Sequence, residues 1–99
     1  MDFVIKNLQK SVVEVSRKIG YLIIDTTENQ EYNLVRKLTS QNYPRFHIYL
    51  KQEDGELTFN LHLDQKRPIY KYAPAHAGEY EGKVVETEAE RIKRVLCNN

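Results

Sequence analysis

The alternation of apolar and polar residues is most regular between residues 45 and 65. The stretches RFHIYLKQ and ELTFNLHLDQ each carry an apolar residue at every second position, which predicts two half-buried β-strands. Asp54 and Gly55 lie between them and form the strongest short signal for a two-residue hairpin turn. A turn centred there aligns apolar residues with apolar residues across the hairpin. The predicted pairs are Phe46 with Leu63, Ile48 with Leu61, and Leu50 with Phe59.

The other face of this hairpin is predicted to be polar and to carry the candidate chemistry. The same register aligns Arg45 with Asp64, His47 with His62, Tyr49 with Asn60, and Lys51 with Thr58. Two of the three histidines in the chain are therefore predicted to be neighbours.

A helical spacing of apolar residues marks the N-terminal region. Apolar side chains recur at every third or fourth position up to Ile19, which predicts a helix from about Leu8 to Ile19. Asn7 is the predicted N-cap, and Gly20 follows where a left-handed C-terminal cap belongs.

Two further strands are predicted between this helix and the hairpin. The stretch YLIID predicts a short buried strand, and TTENQE predicts a loop or hairpin connection after it. The stretch YNLVRKL predicts the next strand, with Leu34 and Leu38 on the same side.

A second helix is predicted from about Lys83 to the C-terminal end. Its buried face is expected to hold Val85, Ala89, Ile92 and Leu96. Acidic residues such as Glu88 near its start and basic residues near its end complement the helix dipole, so no binding surface is inferred from them. The predicted fold is α+β, with both helices at the chain's two ends packed on one face of an antiparallel sheet of three to four strands. Residues 1–99 are expected to form a single domain.

Composition narrows the classes of function. Fifteen Lys and Arg residues against fourteen Asp and Glu residues give a net charge of +1, so no global field attracts nucleic acid or an anionic membrane. Apolar runs are too short for a membrane span or a signal peptide. The single cysteine, Cys97, cannot form an internal disulfide and suits a reducing compartment, which predicts a cytoplasmic protein.

A long segment, residues 66–82, follows the hairpin and contains four Pro and Gly residues typical of a loop. We expect it to return across the polar face of the sheet. One hypothesis is a site for zinc or another divalent metal, because imidazole and carboxylate ligands suit such ions. Its candidate ligands are His47, His62, Asp64, His76 and Glu79. No established metal-binding motif is present in the sequence.

Two other hypotheses use the same polar face. The favoured one is an interaction module that uses this face and residues 66–82 to dock a protein partner or a small ligand, since Tyr and Arg are enriched at interfaces. The candidate binding residues are Arg45, Tyr49, Asn60, Arg67, Tyr70 and Tyr72. Cations interleaved with aromatic rings can also bind nucleic acid, and the element order is similar to that of double-stranded RNA-binding domains. The acidic stretch GEYEGKVVETE, however, stands where those domains carry basic residues, so nucleic acid is the less favoured partner.

The stretches RKIGY, YPRFHIYL, FNLHLDQKRPIY and AHAGEYEG resemble a family of short bacterial hypothetical proteins. The likeness spans nearly the whole chain. It implies a complete, free-standing bacterial protein and supplies no activity, ligand or site residue. No serine lies beside a plausible base in a recognisable turn. A metal-dependent hydrolase that uses the histidines is therefore the form of enzyme left open, and its activity would rest on metal-bound water or on the histidine pair.

Overall fold

The computed structural model describes residues 1–65, 78–79 and 82–97. Five strands form one antiparallel sheet in the spatial order β1-β5-β4-β3-β2, and a sixth strand of two residues also pairs with β5. The fold is therefore α+β, as predicted, but its sheet has more strands than the three to four expected. In chain order the elements are β1 (Asp2–Lys6), α1 (Val12–Ile19), β2 (Leu22–Thr26), β3 (Glu31–Lys37), β4 (Arg45–Glu53), β5 (Glu56–Asp64), β6 (Gly78–Glu79) and α2 (Lys83–Cys97).

The central hairpin, β4 with β5, forms in the predicted register. Arg45 is aligned with Asp64 and His47 with His62, and every other predicted pair is also present. Asp54 and Gly55 both have positive φ, 51° and 80°, which is the backbone that a tight hairpin turn requires. The apolar side of the hairpin is buried and its polar side faces away from the helices.

The N-terminal prediction was wrong in placing the chain's first element as a helix from about Leu8. Residues 2–6 instead form β1, which pairs with β5. The reason is a period of two: Phe3 and Ile5 are buried, whereas Val4 between them is 47% exposed. Ile5 fits both a strand spacing and the helical spacing that continues to Ile19, so the short strand was hidden by the longer pattern.

The first helix begins after Ser11 and not after Asn7. The Ser11 hydroxyl accepts a hydrogen bond from the Glu14 backbone N–H at 3.2 Å, and the Glu14 carboxylate accepts one from the Ser11 backbone N–H at 3.3 Å. This reciprocal pair is a capping box. Asn7 has a φ of 58° and lies between β1 and the helix, so the predicted N-cap was wrong. The predicted C-terminal cap at Gly20 is confirmed by its φ of 83°.

The strand β2 lies at an edge of the sheet and is not buried, contrary to the prediction. Leu22 is 67% exposed and Ile24 is 47% exposed, while Tyr21, just before the strand, is buried. An edge strand has a neighbouring strand on one side only, so its apolar side chains can remain exposed. The apolar sequence of β2 was therefore not evidence of burial. Leu38 was also misplaced, because β3 ends at Lys37 and Leu38 is exposed.

Both helices pack on the apolar face of the sheet, as predicted. Their buried side chains join those of β4 and β5 in one hydrophobic core, and the predicted face of α2 is part of it. Among the described residues, neither helix is long and apolar enough to cross a membrane.

A buried ionic cluster, which the sequence did not predict, fastens α2 to the rest of the fold. Glu88, for which only an interaction with the helix dipole was predicted, is just 4% exposed. Its carboxylate accepts hydrogen bonds from the Tyr21 hydroxyl at 2.6 Å, from Arg91 Nε at 2.8 Å and from Arg36 Nη1 at 3.3 Å. Arg91 also donates to the carbonyl of Ile19 at 2.6 Å. Burial raises the pKa of Tyr21, and Glu88 raises it further, so the phenol remains a donor.

Candidate functional site

Three side chains with metal-ligating atoms meet on the polar face of the central hairpin. His47 comes from β4, and His62 and Asp64 come from β5. One ligand atom from each lies within 4.8 Å of the other two. His47 is 9% exposed and His62 is 4% exposed, so both imidazoles are held in fixed surroundings. We call His47, His62 and Asp64 the His-His-Asp triad.

The Asp64 carboxylate joins the two imidazoles. Its Oδ1 atom lies 2.9 Å from His62 Nε2, and its Oδ2 atom lies 3.4 Å from His47 Nδ1. The two imidazole centroids are 4.8 Å apart, as expected for directly opposed residues on antiparallel strands. Each histidine thus presents one nitrogen to the same carboxylate.

The electrostatics of the triad keep Asp64 ionised. Burial alone would raise the pKa of this carboxyl, but hydrogen bonds from His47 and His62 and their positive charge hold the pKa well below its usual range. Arg45 adds a cationic contact, with Nε 3.4 Å from Asp64 Oδ2. The guanidinium of Arg45 also lies over the Tyr43 ring, 4.6 Å from its centroid.

Asn33 on β3 is a site residue that the sequence analysis missed. Its Oδ1 atom lies 3.1 Å from His47 Nε2, on the side of the ring away from Asp64. The pairing of β3 with β4 aligns Asn33 with Tyr49, the residue two positions after His47 on the same face. The apolar match of Leu34 with Ile48 could have predicted this register, but no tight turn joins β3 to β4 to fix it.

Tyr49 and Asn60, two of the predicted binding residues, lie beside the triad. The Tyr49 ring is 4.5 Å from the His47 ring and 5.5 Å from the His62 ring, measured between centroids, and Tyr49 is 49% exposed. Asn60 donates a hydrogen bond from its amide to the Asp2 carboxylate on β1. Both residues line a depression of about 430 Å³ on this face.

The remaining predicted site residues fall mainly in the segment after the hairpin. Arg67, Tyr70, Tyr72 and His76 lie outside the described residues. Glu79 belongs to β6, whose register aligns Glu79 with Leu63 and Gly78 with Asp64. The described part of the site therefore consists of the triad, Asn33, Arg45, Tyr49 and Asn60.

Comparison of the chain with protein-family models, with curated proteins and with solved structures gives no significant match. The resemblance to short bacterial proteins therefore stays a prediction, and function is argued from the site alone. That site offers two imidazoles and a carboxylate on two paired central strands.

Proposed function

We propose that the protein is a small binding module whose polar sheet face binds a divalent first-row metal ion through His47, His62 and Asp64. The observation that carries this proposal is the meeting of one ligand atom from each residue within 4.8 Å. In a tetrahedral site with metal bonds of about 2.0 to 2.1 Å, neighbouring ligand atoms are roughly 3.3 Å apart. The carboxylate contacts of the two imidazoles, 2.9 and 3.4 Å, lie on either side of that spacing.

The scaffold supports the proposal because it holds the ligands in register. Strands β4 and β5 pair with each other over nine residue pairs, and each also has a second neighbour, β3 for β4 and β1 for β5. Ligands on packed strands are positioned more accurately than ligands on loops. Metal binding would therefore need only side-chain adjustment.

Asn33 supplies the outer contact that a histidine ligand needs. Histidine ligands commonly donate their second ring N–H to a carbonyl or carboxylate, which fixes the tautomer and the ring orientation. Asn33 Oδ1 stands at 3.1 Å from His47 Nε2 and can accept this proton. His47 Nδ1, on the side of Asp64, would then present its lone pair to the ion.

The ligand types favour zinc or a related ion over calcium or magnesium. Two nitrogens and one oxygen suit zinc and other first-row divalent ions, whereas calcium and magnesium prefer oxygen ligands alone. Three protein ligands leave one position of a tetrahedral ion for water or a bound molecule. Participation of His76 or Glu79 as a fourth ligand stays a prediction.

The test is thermal unfolding of the full chain with EDTA and, in parallel, with zinc, manganese and nickel. A ligand at about 100 times its dissociation constant adds roughly 2.7 kcal/mol to folding stability, which is several degrees for a domain of this size. We expect one or more of these metals to raise the melting temperature of the natural protein. His62→Gln and Asp64→Asn should remove that rise.

The matched control is Glu56→Gln, which also converts a carboxylate to an amide on β5. The Glu56 side chain is 44% exposed and lies 3.7 Å from Lys6 on the neighbouring strand, away from the triad. This variant should keep the full metal response. A flat response of the natural protein to all three metals would contradict the proposal, and so would a response that Asp64→Asn retains.

The nucleic-acid hypothesis gains no support from the described contacts. Arg45 contacts Asp64, and Lys51 lies 3.5 Å from Glu53, so both cations already have acidic neighbours. Retention on heparin that falls with salt and with Arg45→Gln would favour that hypothesis. A docked protein would instead be detected as self-association or as a partner that copurifies.

A further inference from the structure

The depression on the polar face begins where the His-His-Asp triad ends. Its volume of about 430 Å³ is in the range of small-molecule sites. Asn33 and Tyr49 belong to both features: Asn33 contacts His47, Tyr49 packs against both imidazoles, and both residues line the depression. None of the three triad residues lines the depression, so a molecule bound there would lie against Tyr49 and would reach a metal ion held by the triad by extending past the two imidazoles.

Tyr49 gives this shared region a flat aromatic surface. Its ring is inclined by only 23° to that of His62, and nearly half of the residue is exposed. Aromatic groups bind to such surfaces by offset stacking or edge-on contact. A ligand with a planar group therefore fits the depression, where that group can stack on the Tyr49 ring.

The charge around the metal selects the other end of the molecule. A divalent ion bound by two neutral imidazoles and one carboxylate keeps a net positive charge, and Arg45 adds another at 3.4 Å from the same carboxylate. An anion complements this charge, and carboxylate oxygens are established ligands of zinc. Glu31 and Lys51 are aligned across β3 and β4 and both line the depression, so their opposite charges offset each other and call for no second charge on the molecule.

We propose that the metal site, if it binds metal as argued above, takes a small planar monocarboxylate. Its carboxylate occupies the open position on the metal, and its planar body lies over Tyr49 in the depression. This inference rests on the proposed metal function and adds the class of ligand to it.

Benzoate, acetate and benzamide are the probes, and cobalt(II) replaces zinc because its visible spectrum reports on its ligands. Each probe is titrated into the cobalt-loaded full chain. Benzoate and acetate should both change the spectrum, with benzoate acting at roughly three- to tenfold lower concentration because of its contact with Tyr49. Benzamide, which has the same ring without the charge, should leave the spectrum unchanged over the same range.

Variants at Tyr49 identify the contact. Tyr49→Phe should preserve the preference for benzoate over acetate, and Tyr49→Leu should reduce the ratio of the two midpoints to about one. The ratio is measured within each variant, so a change in overall stability or in cobalt affinity does not affect it.

The outcomes separate this inference from the metal function. Cobalt binding without a spectral response to either carboxylate overturns the inference and leaves the metal site intact. Equal midpoints for benzoate and acetate in the natural protein also overturn it, as does a preference that Tyr49→Leu retains. Failure of the chain to bind cobalt, zinc or nickel overturns both proposals.

Discussion

Removal of the Arg45 charge separates a metal site from a polar network that binds no metal. Arg45 Nε lies 3.4 Å from Asp64 Oδ2, an oxygen that a bound metal would share. In a metal site, the guanidinium repels the ion and competes for its ligand. In a network without metal, the guanidinium is only one more partner of the carboxylate. Arg45→Gln is therefore expected to increase metal affinity, whereas most substitutions at a binding site decrease it.

The structure sets the size of the effect. A metal bonded to Asp64 at about 2.1 Å would lie roughly 5 Å from the guanidinium. The repulsion between a double and a single positive charge at that separation is about 1.7 kcal/mol even at the dielectric constant of water, and it is larger near a protein surface. Because about 1.4 kcal/mol corresponds to a tenfold change in Kd, Arg45→Gln should bind zinc at least about tenfold more tightly.

Competition with a chromogenic chelator at neutral pH measures the zinc affinity of each variant. Lys51→Gln is the control, because it removes the same charge from the same face of β4. Lys51 lies four residues beyond His47, about 13 Å away along a strand, so salt near 0.1 M screens its effect on the triad. Zinc binding that is unchanged or weaker in a folded Arg45→Gln protein would refute the assignment of Asp64 as a ligand.

Three further predictions follow from the site and the core. Asn33→Ala should weaken zinc binding by about 10- to 100-fold, as loss of an outer contact to a histidine ligand does, and the same chelator titration measures it. The pKa of Asp64 in the folded protein lies below its value of about 3.9 in an unfolded chain, so the unfolded chain takes up the proton first. In the metal-free protein, the contribution of the Asp64 carboxylate to folding stability is therefore complete above about pH 5. It declines as the pH falls through that value. The difference in urea midpoint between the natural protein and Asp64→Asn should shrink over the same range; a constant difference would contradict this. Tyr21→Phe should cost about 1.5 to 3 kcal/mol in urea unfolding, because it removes a buried hydrogen bond to the Glu88 carboxylate. Tyr32→Phe is the control, because the Tyr32 hydroxyl makes no hydrogen bond among the described residues. This substitution should cost less than half as much.

The central hairpin was predictable because three local signals agree. Alternation gives the strands, Asp54 and Gly55 give the turn, and the match of apolar residues fixes one register. Since side chains on paired strands share a face, the neighbourhood of His47 and His62 followed from the same register. The sequence thus predicted which residues of the triad lie close together.

The parts of the fold and of the site that the sequence did not predict depend on contacts between segments that are distant in the chain. Strand β1 has only five residues, and its pairing with β5 joins residues that are fifty or more positions apart in the chain. Asn33 reaches His47 across the pairing of β3 with β4, whose connection contains no short turn that would fix the register. Such partners are set by packing of the whole sheet, and a local pattern does not report them.

Two carboxylates in polar networks, the buried Glu88 and the partly buried Asp64, differ in what they can do. Glu88 accepts from two guanidinium groups and a phenol, whose pKa is raised, so its partners stay protonated and its oxygens stay occupied. Asp64 has two imidazoles as partners, and each imidazole nitrogen can either donate a proton or present a lone pair. On the metal proposal, loss of those protons would convert the hydrogen-bonded triad into a set of metal ligands without moving the backbone. The Glu88 cluster has no equivalent state, so the metal proposal rests on the His-His-Asp triad and not on Glu88.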